Sequence, residues 1–122
     1  MSRAIEKVEN CNTMADVRRN VNRLDDILVP LLVERGGYMT QAAKVKNDPD
    51  LVRDEDRIEA IVARVREQAA AEGGQPDVIE AIYRSMMEAY IAYEHRELAR
   101  LQAASAPKEK KKKKLLMVDN YD

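Results

Sequence analysis

Neither phenylalanine nor tryptophan occurs among the 122 residues, and tyrosine, with five copies, is the only aromatic. A core must therefore rest on Leu, Ile, Val, Met and Ala, without the buried area that large rings supply. The length suits one domain and not two, and small domains bury a modest share of their surface. A partner subunit would relieve that shortage. Cysteine is equally scarce. Cys11 stands alone, so no disulfide staples the chain and nothing points to an oxidising compartment; it reads as an inert free thiol. No apolar run reaches the length of a membrane span, and the N-terminus "MSRAIEKVENC" lacks the apolar stretch of a signal peptide. The expected setting is cytoplasmic, with no membrane partner.

Net charge is also missing. Charged residues make up 35% of the chain, yet the formal charge is −1. That balance excludes a globally basic nucleic-acid binder while leaving room for local segregation of charge. There is no Cys-His or Ser-His-Asp set, no metal-ligand cluster and no glycine-rich phosphate loop. No metal and no cofactor are expected. Such a chain can still grip a small dianion, and that suits a reaction in which the substrate rearranges by itself.

What is present is helical periodicity. Residues 1–12 are polar and read as a flexible N-terminus. Thr13 offers an N-cap with Asp16 three residues on, a weak capping box. Apolar residues then recur as Val17, Val21, Leu24, Leu28 and Leu31 and continue through Met39, Ala42, Ala43 and Val45. Those steps of three and four predict one helix of about thirty residues, about 45 Å long. Pro30 lacks a backbone donor and should bend it. Gly36 and Gly37 weaken it further. After "NDPD", Asp54 can cap a second helix, with Glu55 and Asp56 at its positive end and a stripe of Ile58, Ile61, Val62 and Val65. Gly73 and Gly74 stop it. Pro76 fits the first turn of a third helix, which carries Val78, Ile79, Ile82, Met86, Tyr90, Tyr93 and Leu101. No segment alternates with period two long enough to claim a strand. The fold class is all-α: three helices over residues 13–104, the first very long. Residues 105–122, "SAPKEKKKKKLLMVDNYD", read as a lysine-rich, solvated and disordered tail.

Several charges sit in unusual places. Arg35 and Lys46 are eleven residues apart, which returns to within about 20° of one helical face with Cα atoms about 16 Å apart. Two long side chains leaning together could hold a dianion, and Arg57 could fold onto the same space. Taken singly, each also fits an ordinary surface charge. Arg18 lies about 100° round the axis and about 25 Å from Arg35, so a ligand role would require presentation to a second subunit. On the third helix Tyr83, Met86, Tyr90 and Glu94 share a stripe. Glu94 is thus a carboxyl on a largely apolar face, where it needs a cation, a hydrogen bond or a proton. His95 is adjacent but off the stripe and reads as solvated.

Three stretches together resemble the all-helical (AroQ-class) chorismate mutase family, which includes isochorismate-pyruvate lyases: "ADVRRNVNRLDDILVPLLVERGGYMTQAAKVK", "VRDEDR" and "YRSMMEAYIAYEHREL". The resemblance covers roughly residues 14–102. It implies an intertwined helical homodimer and the rearrangement of chorismate to prephenate, in phenylalanine and tyrosine biosynthesis. By the same resemblance Arg35, Lys46 and Arg57 match the cations that hold the substrate's carboxylates and ether oxygen. Arg18 matches an arginine that crosses from the partner. Asp54 matches an acid near the substrate hydroxyl, and Glu94 the residue that hydrogen-bonds the ether oxygen.

Two residues depart from the best-known bacterial mutases. Ile58 stands where they carry a Glu against the ring hydroxyl, and Tyr90 where they carry a Ser. Both, with the run "YIA", look more like the lyase branch, which would make salicylate and pyruvate from isochorismate. A third reading is a non-catalytic helical interaction module whose lysine run binds an acidic partner; loss of the only measurable binding on deleting residues 107–122, with no turnover, would favour it. "LLMVDNYD" resembles the first strand and turn of glutamine amidotransferase subunits, and otherwise reads as an untethered tail.

Overall fold

A computed structural model describes the backbone of residues 8–121 and the side chains of residues 8–105. The elements are α1 (Met14–Lys46), a 3-10 turn (Pro49–Leu51), α2 (Glu55–Ala71) and α3 (Pro76–Tyr121). No strand occurs among the described residues.

Each boundary has a local cause. The Thr13 hydroxyl accepts from the Asp16 backbone N–H at 3.1 Å and opens α1. The Asp16 carboxylate accepts from Arg19 instead of completing the box. α1 runs through Pro30, Gly36 and Gly37 without interruption. It ends where Asn47 turns left-handed at φ 52° and donates its N–H to the Ala43 carbonyl, a conformation Asn tolerates better than most residues. The Asp48 side chain caps the 3-10 turn by accepting from the Asp50 N–H. The Asp54 carboxylate accepts from the Arg57 N–H at 3.0 Å and starts α2. α2 closes on Gly73 at φ 78°, which spares the turn the strain a Cβ would bring.

α3 packs against both other helices. Ile58, Ile61, Val62 and Val65 of α2 meet Met87 of α3 in one cluster. Ala43 of α1, Val52 of the connecting loop and Leu98 of α3 form a second, and Ile91 touches both. The buried line of α3 is Met87, Glu94 and Leu98, while Val78 and Ile82 are each 55% exposed. The stripe read through Ile82 and Met86 is therefore one residue out of phase. α3 carries apolar residues on more than one face, and periodicity alone does not say which faces meet α1 and α2. α3 also continues past Leu101, where the sequence pattern ends, through the stretch read as a disordered tail. Lys, Glu, Ala, Leu and Met, which dominate that stretch, are all good helix formers. The amidotransferase-like resemblance of "LLMVDNYD" falls outside the described side chains.

The N-terminal half of α1 is little covered among the described residues. Val21, Leu24, Ile27, Leu28 and Leu31 are about half exposed, although the periodicity marks them for burial. Only Gly36 and Ala43 of α1 are buried. No helix among the described residues is long and apolar enough to cross a membrane.

Candidate functional site

The second half of α1, the loop before α2, the start of α2 and the middle of α3 enclose a cavity of about 300 Å3, within the size range of small-ligand sites. Helical spacing sets its first wall: Arg35, Met39, Ala42 and Lys46 follow at steps of four, three and four along α1. Asp54, Arg57 and Ile58 come from the capped start of α2, and Met87, Tyr90, Ile91 and Glu94 from α3. The expected residues Arg35, Lys46, Asp54, Arg57, Ile58, Tyr90 and Glu94 therefore meet around one space. Arg18 does not join them; it is exposed near the free end of α1.

The most unusual group is the Glu94 carboxyl. The residue is 3% exposed, and it is the buried charged residue among those described. Lys46 Nζ approaches its Oε2 to 3.1 Å and also donates to the Val52 carbonyl at 3.2 Å. The approach to Glu94 has the length of a hydrogen bond without its alignment, so Oε2 accepts no directed hydrogen bond. We read the contact as an ion pair with one carboxylate oxygen left unsatisfied. A buried polar atom in that state is uncommon and points to a ligand donor, a water or a proton.

Arg35 and Arg57 make no ion pair among the described residues, whereas Arg66, Arg84 and Arg100 are each bound to carboxylates on α2 or α3. Asp54 is committed to capping α2. Three cations thus face the cavity beside two carboxyls, one of them already in use. Ile58, Ile61, Met87 and Ile91 add apolar lining from α2 and α3. A lining that mixes cations with hydrocarbon fits a compact, partly apolar molecule bearing carboxylates. Among the described residues no three metal-ligating side chains converge.

Tyr90 links the site to the packing. Its hydroxyl donates to the Leu32 carbonyl, and its ring lies 5.1 Å below the Arg35 guanidinium. Just past the cavity, Thr40 donates to Glu97 at 2.8 Å and Arg100 donates to the same carboxylate. The Arg100 guanidinium, then the Thr40 hydroxyl, hold the Glu97 carboxyl down to about 2. This clasp ties α1 to α3. His95 is exposed.

Some lining residues escaped sequence reading. Met39 and Ala42 were legible in principle, since they lie between Arg35 and Lys46 on one stripe. Met87 and Ile91 were hidden by the phase error on α3. Val52 sits on a loop, where no period exists to find it.

Comparison with known proteins places the chain in a family. A family model described as chorismate mutase type II matches residues 17–95, more than half of the chain and all of the cavity lining. No curated protein matches the chain.

Proposed function

The chain belongs to the chorismate mutase type II family, and from that premise we propose that it converts chorismate to prephenate. The reaction is a pericyclic rearrangement within one molecule and needs no covalent intermediate. The enzyme's part is to hold the compact conformer and to stabilise negative charge on the breaking ether oxygen. In this reading Arg35 holds a carboxylate, Lys46 donates to the ether oxygen and a carboxylate, and Arg57 adds positive potential. Asp54 lies near the substrate hydroxyl. Glu94 donates to the ether oxygen when it carries a proton, since an ionised carboxylate only accepts.

The observation that carries the proposal is the Lys46–Glu94 pair, with Nζ 3.1 Å from a buried oxygen that has no directed hydrogen bond, at the edge of a cavity flanked by Arg35 and Arg57, which have no carboxylate partner among the described residues. The apolar stripe of α1 left half exposed in one chain supports a second part: two copies intertwine through it, and each presents Arg18 to the other's cavity.

A second reading has its own support. Ile58 belongs to the apolar core cluster and brings no polar group to the cavity. The Tyr90 hydroxyl is already spent on the Leu32 carbonyl. A ring hydroxyl facing Ile58 would lose its hydrogen bonds, which favours a substrate with its hydroxyl elsewhere; isochorismate is such a substrate, and lyase activity would release pyruvate from it. Purified protein given each isomer separately, with prephenate and pyruvate followed, tests both. Prephenate from chorismate upholds the mutase. Pyruvate from isochorismate, without prephenate, replaces it with the lyase, and turnover of neither isomer removes both.

A further inference from the structure

We propose that Tyr90 is a positioning residue that docks into the gap left by Gly36 and holds the Arg35 guanidinium toward the cavity. Three contacts converge on it. A Cβ at position 36 would lie 3.3 Å from Tyr90 Cε1 and 4.0 Å from Tyr93 Cε2, tight enough that the Tyr90 ring would have to give way. The hydroxyl donates to the Leu32 carbonyl, which is also the helical acceptor for the Gly36 N–H, so ring and hydroxyl land on one turn of α1. The ring face then lies 5.1 Å from Arg35 Cζ, within cation–π range.

Arg35 has no carboxylate to orient it among the described residues, and a free arginine samples many rotamers. The Tyr90 ring narrows that choice before any anion arrives, so less ordering remains to be done on binding. This also gives Gly36 a purpose. In a helix interior glycine is less favourable than alanine by about 1 kcal/mol; here its missing side chain is the seat for a ring from α3. Neighbouring Gly37 has nothing within 4 Å of where its Cβ would be and gains no such role.

The test has two arms, of which only the kinetic one rests on the mutase reading. In the labelled full-length chain, the Arg35 Nε–H and Cδ protons, assigned through Arg35→Lys, should be displaced upfield by the ring. The displacement should persist in Tyr90→Phe, vanish in Tyr90→Leu and shrink in Gly36→Ala. In the kinetic arm, Tyr90→Leu should raise KM about 2- to 30-fold, the span of one cation–π contact, with a smaller change in kcat. Tyr90→Phe should fall between wild type and Tyr90→Leu. Arg35 resonances at ordinary positions in the wild type overturn the proposal. So does a Tyr90→Phe loss equal to that of Tyr90→Leu, which would mean that the hydroxyl meets the substrate, or a kcat loss exceeding the KM rise. Should the wild type act on neither isomer, the functional reading fails while the resonances still decide the positioning.

Discussion

Replacing Lys46 with Met keeps most of the side chain's length and removes its charge, which leaves Glu94 buried at 3% exposure without a cation. Breaking a fully buried ion pair costs roughly 3–5 kcal/mol. Lys46 keeps 30% of its side-chain surface in water and Glu94 only 4%, so part of the ammonium's field is already screened and the loss should be about 2 kcal/mol. That figure includes the donor lost by the Val52 carbonyl, at about 1 kcal/mol. For a domain of this size, 2 kcal/mol corresponds to a fall in Tm of roughly 8 °C, measured at one fixed protein concentration because subunit association would also move Tm. The decisive assay is the double variant. Lys46→Met with Glu94→Gln removes both charges, so most of the lost stability should return, giving a coupling of about 1–2 kcal/mol. Activity should not return, because the Lys46 cation at the breaking ether is gone even though the amide introduced at position 94 can still donate; a loss of about 100- to 1,000-fold in kcat is the scale for one such donor. If the two substitutions simply add, or if Lys46→Met leaves Tm unchanged, the ion pair is not what keeps Glu94 in the core.

Two further outcomes follow from the same carboxyls. If Glu94 serves the ether oxygen as a donor, Glu94→Gln, an amide that also donates, keeps mutase activity while Glu94→Ala loses it; equal activity in the two variants removes Glu94 as the donor. Glu97, held down to about 2 from the ordinary 4.5 by Arg100 and Thr40, stabilises the fold fully above about pH 4.5 and loses that contribution as pH falls toward 2. Acid unfolding of Glu97→Gln should therefore be shallower across that window, and an identical acid limb would mean that the clasp adds nothing.

The parts of the site that could be read from sequence are those governed by a local period or a cap. Arg35 and Lys46 share a face because eleven residues nearly complete three turns. Asp54 announces the start of α2 by its chemistry and so brings Arg57 and Ile58 to the cavity. Glu94 drew attention as a carboxyl among apolar neighbours, even though the stripe was drawn through Met86 instead of Met87. The unread parts depend on contacts distant in sequence. Gly36 looked like a weakness of α1 because the ring that needs it comes from α3. The 3-10 turn and Val52 follow from loop geometry. Pro30 lies among exposed residues, and α1 continues through it as the unbroken apolar phase predicts.

In the proposed homodimer, cations from two copies of the chain serve one cavity. Arg18→Ala and Arg35→Ala should then each abolish activity. Refolded together from denaturant in equal amounts, they should recover about a quarter of wild-type activity, because half of the dimers are mixed and each mixed dimer has one intact cavity. A mixture as inactive as its components, or an Arg18→Ala chain that is fully active alone, would contradict it.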